Sequence, residues 1–298
     1  MPDTITIKAP AKINLSLDVT GRRPNGYHDL RMIMQTIDLC DVLTISRIPE
    51  ENICLTLNKE LPDKIPPEKN LVWKAASLMK EQYQISGGFS IFLEKNIPAA
   101  AGLAGGSSDC AATLLGINAL CQLGLSDEEL CESGVTLGAD VPFCIRKGTM
   151  LSEGIGEILT PLPELTHLWA LLIKPNISVS TAYVYTHLQL DSLDYHPDTE
   201  GLLSCIRRKD DAELARGLSN VLETVTIPEY PILAQLKQFF LDNGAAGSLM
   251  SGSGPTTYGL YQDEILAQMA LRKAKASYPD YEIILCQTKI PDTPLQLD

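Results

Sequence analysis

The most reactive-looking stretch of this chain is Pro98-Ala99-Ala100-Ala101-Gly102-Leu103-Ala104-Gly105-Gly106-Ser107-Ser108-Asp109. Its glycines let backbone come close to a ligand. It runs into residues 110–121, where Ala111, Leu114, Leu115 and Ala119 recur as one face of a helix would. The first turn of a helix has amides without intrahelical partners, and the helix dipole adds positive character there, so the natural ligand is a phosphate. The loop is not a Walker loop, because no lysine precedes its serines. Nor does the spacing of Gly102, Gly105 and Gly106 fit the dinucleotide fingerprint. A tight turn whose glycines serve only helix packing is the plain alternative, and the rest of the chain must decide.

Two further groups have the chemistry to act on a phosphate. Lys12 and Asn14 share one face of a strand, or of a bent strand pair interrupted at Pro10, over residues 4–19, whose opposite face carries Ile5, Ile7, Ala9, Ile13, Leu15, Leu17 and Val19. On spacing alone, the polar face is expected to be solvent-exposed. Asp140 lies between Gly138 and Pro142, at an expected helix-to-strand junction, where the ordinary role of an aspartate is to support a turn.

The elements that must position these residues follow from patterning. Residues 32–45, 53–57 and 88–94 read as strands, with residues 20–26 as turn material between the first two long strands. Asn70 is a helix-cap candidate ahead of Leu71, Ala75, Leu78 and Met79, and Ser126-Asp-Glu-Glu129 is a capping box. Residues 148–159 resemble a hairpin, and Pro161-Leu-Pro163 marks the expected boundary between domains 1–160 and 161–298. Beyond it come a buried strand at 168–173 and helices at 180–188, 213–223 and 230–243. A glycine-kinked strand or hairpin at 248–261, a helix at 264–277 and a strand at 281–288 complete the chain. That succession predicts an α+β fold, the second half being an antiparallel sheet with helices on one face. No internal repeat or low-complexity segment interrupts it.

Composition narrows the function classes. The chain has 298 residues and a net charge of −13, which disfavours nucleic acid and anionic membrane as partners because long-range steering would be repulsive. A local nest of amides with one or two lysines can still outweigh that field for a small anion. Eight cysteines are scattered through apolar segments without a C-x-x-C pair or zinc spacing, as expected of free thiols in a reducing compartment. The amino terminus lacks the features of a signal peptide, and no run reaches the ~18 apolar residues of a membrane span. A cytoplasmic protein is expected.

Three stretches taken together resemble the motifs of the GHMP kinases, the family of galactokinase, homoserine kinase, mevalonate kinase and phosphomevalonate kinase. They are Lys8-Ala9-Pro10-Ala11-Lys12-Ile13-Asn14-Leu15, the 98–108 loop, and Leu249-Met250-Ser251-Gly252-Ser253-Gly254-Pro255. Within the family, Gly21-Arg22-Arg23-Pro24-Asn25-Gly26-Tyr27-His28-Asp29 and Gly138-Ala139-Asp140-Val141-Pro142-Phe143 resemble the branch whose substrate carries a cytidine diphosphate. Ala104 and Cys110 are small departures from the family pattern. The resemblance implies two domains, ribosomal-protein-like then ferredoxin-like, about a central active site, with ATP as donor and Mg²⁺ neutralising its phosphates.

Carried onto this chain, the resemblance gives Pro98, Ala99, Ala100, Ala101, Gly102, Leu103, Ala104, Gly105, Gly106, Ser107 and Ser108 to the ATP phosphates, with Asn70 and Lys95 on the nucleotide side. Asp140 accepts the proton of the acceptor hydroxyl, and Lys12 favours its ionised form and stabilises charge on the transferred group. The two together are also compatible with a structural salt bridge. Asn14 orients the acceptor, Tyr27 and Tyr185 sandwich a cytosine, and His28 meets its edge; Tyr183, two residues from Tyr185, is the competing aromatic. Gly252 to Pro255 form a second cradle or brace the first. A homoserine- or mevalonate-type kinase fits the motifs except for Gly26-Tyr27-His28, which those substrates have no base to use. A regulator that senses ligand without turnover, or a plain nucleotide-binding module, fits the loop alone.

Overall fold

The computed structural model describes residues 3–24, 26–60, 66–165, 167–292 and 295–297. Its first sheet is organised on two long antiparallel strands, β1 (Thr4–Arg22) and β2 (His28–Ile48). β3 (Ile53–Leu57), α1 (Leu71–Gln82) and β4 (Gly88–Glu94) follow, then α2 (Gly105–Leu120), α3 (Asp127–Val135) and α4 (Val141–Arg146). β5 (Thr149–Gly154) and β6 (Ile158–Pro161) form the expected hairpin on β2. The main path of this sheet runs β4 between β2 and β3, with β3 parallel to β4.

The later half continues with β7 (Trp169–Lys174), α5 (Thr181–His187), α6 (Thr199–Arg208), α7 (Asp211–Arg216), β8 (Ser219–Asn220), α8 (Glu223–Glu229) and α9 (Ile232–Asp242). β9 (Gly247–Met250), β10 (Thr257–Tyr261), α10 (Glu264–Ser277), β11 (Glu282–Gln287) and β12 (Leu295–Leu297) complete it. β7, β9, β10 and β11 form a second, wholly antiparallel sheet in the order β11-β7-β10-β9. The short strands β8 and β12 pair instead with β1. The α+β class expected from the sequence is what is found.

The odd-numbered apolar residues of β1 do not all face one core. The register with β2 shifts between Pro10 and Lys12 and again between Asn14 and Ser16. An irregularity of this kind re-aims the side chains that follow it. Ile5, Ile7, Leu17 and Val19 pack in a cluster with residues of α1 and α2, whereas Ala11, Ile13 and Leu15 pack with Leu172, Tyr258 and Leu260 of the second sheet. The middle of β1 therefore reverses its faces, and both are covered. Lys12 and Asn14, expected in solvent, are 4% and 0% exposed.

Two local expectations are corrected. Residues 213–223 are not one helix: α7 stops at Arg216 with Gly217 as its C-cap, Ser219 and Asn220 pair parallel with Ser16 and Leu17, and α8 starts only at Glu223. Helical propensity there gives way to the side-chain amide of Asn220. It donates to the carbonyls of Met250 and Gly252 and accepts from the Leu222 amide, all at 2.8–2.9 Å. Asp140 opens a short helix, α4, rather than a strand, because Pro142 sits in its first turn, where a missing N–H costs nothing. Helix α6, capped by Asp198 on the Gly201 amide at 2.9 Å, was not expected from the pattern.

Candidate active site

The loop 98–108 is held in shape by unusual backbone and by a second glycine loop behind it. Ala100 and Ala104 have φ of 49° and 56°, in the left-handed region that favours glycine. Gly102, at φ 74°, is required for a second reason: a Cβ there would come within 2.1 Å of the Ser251 carbonyl oxygen. Ser251 donates its hydroxyl to the Gly102 carbonyl at 2.9 Å, and a Cβ on Gly252 would press on Gly102 in turn. The two loops are packed back to back. No side chain caps α2, so its first amides are left for a ligand.

These residues line one cleft of about 840 Å³, together with Lys12, Tyr27, His28, Asn70, Lys95, Asp140, Tyr185 and Gly252. Residues 98–107 all reach it. Ser108 does not: it is buried, and its hydroxyl donates to the Pro10 carbonyl at 2.7 Å, tying α2 to β1. Asn70 does two things, bordering the cleft while its side-chain oxygen accepts from the Val72 amide at 2.9 Å to cap α1.

Lys12 is placed by the irregular middle of β1. Its ammonium donates to the side-chain oxygen of Asn14 at 2.7 Å, and the same oxygen accepts from the Gly252 amide at 3.0 Å. Asn14 is thus a buried junction between β1 and the second glycine loop, fixed further by the Tyr258 hydroxyl on its carbonyl at 2.6 Å. It does not border the cleft itself. Asp140, at the start of α4, turns its carboxylate toward Lys12 at 4.0 Å, and this side chain remains 32% exposed. It makes no capping bond to α4.

Lys95 has a different environment. It pairs with Asp41, and with Asp109 at 2.7 Å, all three being buried. Burial by itself would lower the ammonium pKa, but Asp109 and Asp41 outweigh it and the net direction is up. Burial raises the Asp109 carboxyl well above its ordinary value, opposed by Lys95 and reinforced by Asp41. One oxygen of Asp109 has no hydrogen-bond partner, whereas Asp41 also accepts from the Asn96 and Ile97 amides at 2.6 and 2.8 Å. Both oxygens of Asp41 are therefore engaged, whereas Asp109 is engaged through only one. Neither aspartate was singled out from the sequence, where nothing in spacing connects residues 41, 95 and 109. Asn220, which clamps the second glycine loop, escapes sequence reasoning for the same reason, and Ser251, inside a quoted motif, carries no role there although it ties that loop to Gly102.

Tyr27 and His28, at the β1–β2 turn, also line the cleft, Tyr27 being 55% and His28 8% exposed. The ring of Tyr185, on α5, lies 5.3 Å from that of His28, tilted by 31°. Tyr183 is directed elsewhere and stacks on His187 at 3.8 Å, so Tyr185 is the aromatic that borders the cleft. Burial, then Arg22, lowers the His28 pKa, and burial, then Asp140, pushes the Tyr185 phenol up. The neutral forms of both rings are favoured. The eight cysteines are all unpaired. Among the described residues no helix is long and apolar enough to cross a membrane.

One cleft thus brings together a glycine loop at the start of a helix, an ammonium beside an accessible carboxylate, and the rings of Tyr27, His28 and Tyr185. Residues 70–148 match the family model "GHMP kinases N terminal domain", and residues 202–280 match "GHMP kinases C terminal". The chain is 50% identical to the 4-diphosphocytidyl-2-C-methyl-D-erythritol kinase of Lachnoclostridium phytofermentans, over 92% of this chain and 93% of that protein. To the kinase of the same name from Acetivibrio thermocellus it is 46% identical, over 96% and 99%. A crystal structure of 4-(cytidine 5'-diphospho)-2C-methyl-D-erythritol kinase superposes with a TM-score of 0.80 at 32% identity, covering 95% of this chain and 98% of the other. Homoserine kinase from Cytophaga hutchinsonii shares the fold at a TM-score of 0.77 and 20% identity, over 100% and 98%.

Proposed function

The chain belongs to the GHMP kinases, in the branch of the 4-diphosphocytidyl-2-C-methyl-D-erythritol kinases, and is a phosphotransferase; from that premise we propose how its own residues work. The acceptor is the 2-hydroxyl of 4-diphosphocytidyl-2-C-methyl-D-erythritol, the donor is ATP, and the reaction belongs to the non-mevalonate route to isoprenoids in the cytoplasm. Residues 1–160 and 161–298 act as two domains that frame the cleft. The observation that carries this reading is the Lys12–Asp140 pair, in one cleft with the glycine loop and with Tyr27, His28 and Tyr185.

Phosphoryl transfer needs alignment, neutralisation of charge and a proton acceptor. The open amides of residues 105–107 hold the triphosphate at the positive end of α2, with the Ser107 hydroxyl beside them. Asp140 accepts the proton of the attacking hydroxyl. Its exposure and its 4.0 Å separation from Lys12 leave lone pairs for that task. The Lys12 ammonium, oriented by Asn14, faces the charge that develops on the transferred group. Tyr27 and Tyr185 enclose the cytosine ring, and His28 reads its edge.

The cleft also fits Mg²⁺ entering on the nucleotide. Among the described residues no cluster of three or more His, Cys, Asp or Glu side chains exists that would hold a metal alone. The Ser107 hydroxyl, which lines the cleft at the glycine loop, is a hard oxygen donor of the kind that supplements phosphate oxygens. Ser107 would hold it, and when bound it would neutralise phosphate charge. The test is ADP release from ATP and Mg²⁺ on addition of 4-diphosphocytidyl-2-C-methyl-D-erythritol, with CDP as competitor. Substrate-dependent release suppressed by CDP is expected. Release with homoserine or mevalonate alone would overturn the acceptor, and ATP binding without turnover on any alcohol would overturn the mechanism.

A further inference from the structure

The last residue of β1 and the first of β2 are cross-strand partners, Arg22 opposite His28. The guanidinium Nε of Arg22 lies 3.3 Å from Nε2 of the imidazole, in hydrogen-bonding geometry. A guanidinium has only donors, so the ring nitrogen it meets must present a lone pair. A ring protonated on both nitrogens would place two cations in contact, and burial opposes that charge further. The neighbouring arginine is not available for the same task. Arg23 is paired with Asp29 at 2.7 Å, and its amide and carbonyl close the turn, with the Arg23 amide on the Tyr27 carbonyl and the Gly26 amide on the Arg23 carbonyl.

We propose that Arg22 is a positioning residue that holds His28 in the neutral form with its proton on Nδ1, so that the ring presents a donor to the acceptor edge of the substrate's cytosine. This rests on the reading above that the Tyr27–His28–Tyr185 end of the cleft receives the cytidylyl group. Cytosine carries acceptors at N3 and O2 beside the donor 4-amino group. A donor on His28 therefore matches two of its three edge positions, while the opposite tautomer would face those acceptors with a lone pair. Which ring nitrogen carries the proton is thus set by a residue outside the cleft, much as an outer partner fixes the tautomer of a metal-bound histidine.

Ring-nitrogen NMR on the full-length protein with ¹⁵N-labelled histidine tests this directly. The chain has only four histidines, and the His28 signals are identified by their loss in His28→Gln. At neutral pH the wild-type ring is expected to show a protonated Nδ1 and an unprotonated Nε2. Arg22→Leu shifts the pattern toward Nε2–H and raises KM for 4-diphosphocytidyl-2-C-methyl-D-erythritol roughly fivefold, the value of one hydrogen bond, rather than lowering kcat. Arg22→Lys, which keeps a donor, retains the wild-type pattern. An Nε2–H or doubly protonated ring in the wild type would overturn the proposal, as would an Arg22→Leu enzyme whose tautomer changes while KM stays put. If the wild-type ring has the expected proton but the protein never phosphorylates the cytidylyl substrate, the functional reading fails and the Arg22–His28 assignment stands.

Discussion

Lys12 and Lys95 border the same cleft, and each faces an aspartate, yet their surroundings differ in kind. Lys95 has two carboxylates within bonding distance, all three groups being nearly inaccessible to water. Lys12 has one carboxylate at 4.0 Å, a hydrogen bond to a neutral amide, and a partner that is 32% exposed. The first is a closed account of charge within the wall between β4, β2 and α2. The second leaves donor protons on the lysine and lone pairs on the aspartate, so both can engage a ligand. An ion pair in a cleft is thus not informative until its unused donors and acceptors are counted.

The largest expected effect separates the two pairs on turnover. Asp140→Asn should lower kcat by about 10²–10⁴-fold while leaving ATP affinity nearly intact, the range for loss of a general base. Full activity in this variant would make the Lys12–Asp140 pair structural, like its neighbour. Stability should separate them in the opposite sense. Lys95→Met leaves the buried Asp41 carboxylate without its counter-charge and should reduce the unfolding free energy by about 3–5 kcal/mol in urea titrations. Lys12→Met, whose partner reaches solvent, should cost far less stability and far more turnover.

A smaller effect is expected at the slot. Tyr27→Ala should raise KM for the cytidylyl substrate about tenfold, consistent with ~1–3 kcal/mol for stacking one base. A change confined to KM for ATP would remove Tyr27 from that role.

The mildest prediction concerns Asp109. Because its carboxyl is raised in the folded protein, the native state keeps a proton that the unfolded chain releases near its ordinary pKa of 3.8. Its contribution is therefore most favourable at low pH and becomes a growing cost as pH rises from about 3.8 through the folded-state value. Asp109→Asn, which mimics the protonated form, should flatten this slope and be neutral or stabilising near pH 7. Unfolding midpoints measured across pH 4–8 that keep the wild-type slope would contradict this assignment of the proton.

Much of this molecule was legible in its residues. Glycines at 102, 105 and 106 before a helical pattern announce a cradle, because only backbone without Cβ can come this close, and at Gly102 the structure supplies the obstacle, the Ser251 carbonyl. The capping box at Ser126 and the helix at 264–277 appear where local rules place them. Local rules failed where a distant partner intervened. The 213–223 segment breaks because Ser219 and Asn220 find β1 and the second glycine loop, contacts that no window of ten residues contains.

By itself, then, the sequence determined the α+β class, the glycine loop that lines the cleft and the family, since these rest on periodicity, glycine placement and motif order, all of them local or ordered along the chain. Only the tertiary structure decided which charges are spent and which are free. Two register shifts in β1 turn its unbroken odd-numbered apolar pattern from one core to the other and carry Lys12 and Asn14 inward. Asp41, Lys95 and Asp109 meet across three elements. Alternation records that a strand has two faces, but which neighbour covers each face is settled by packing.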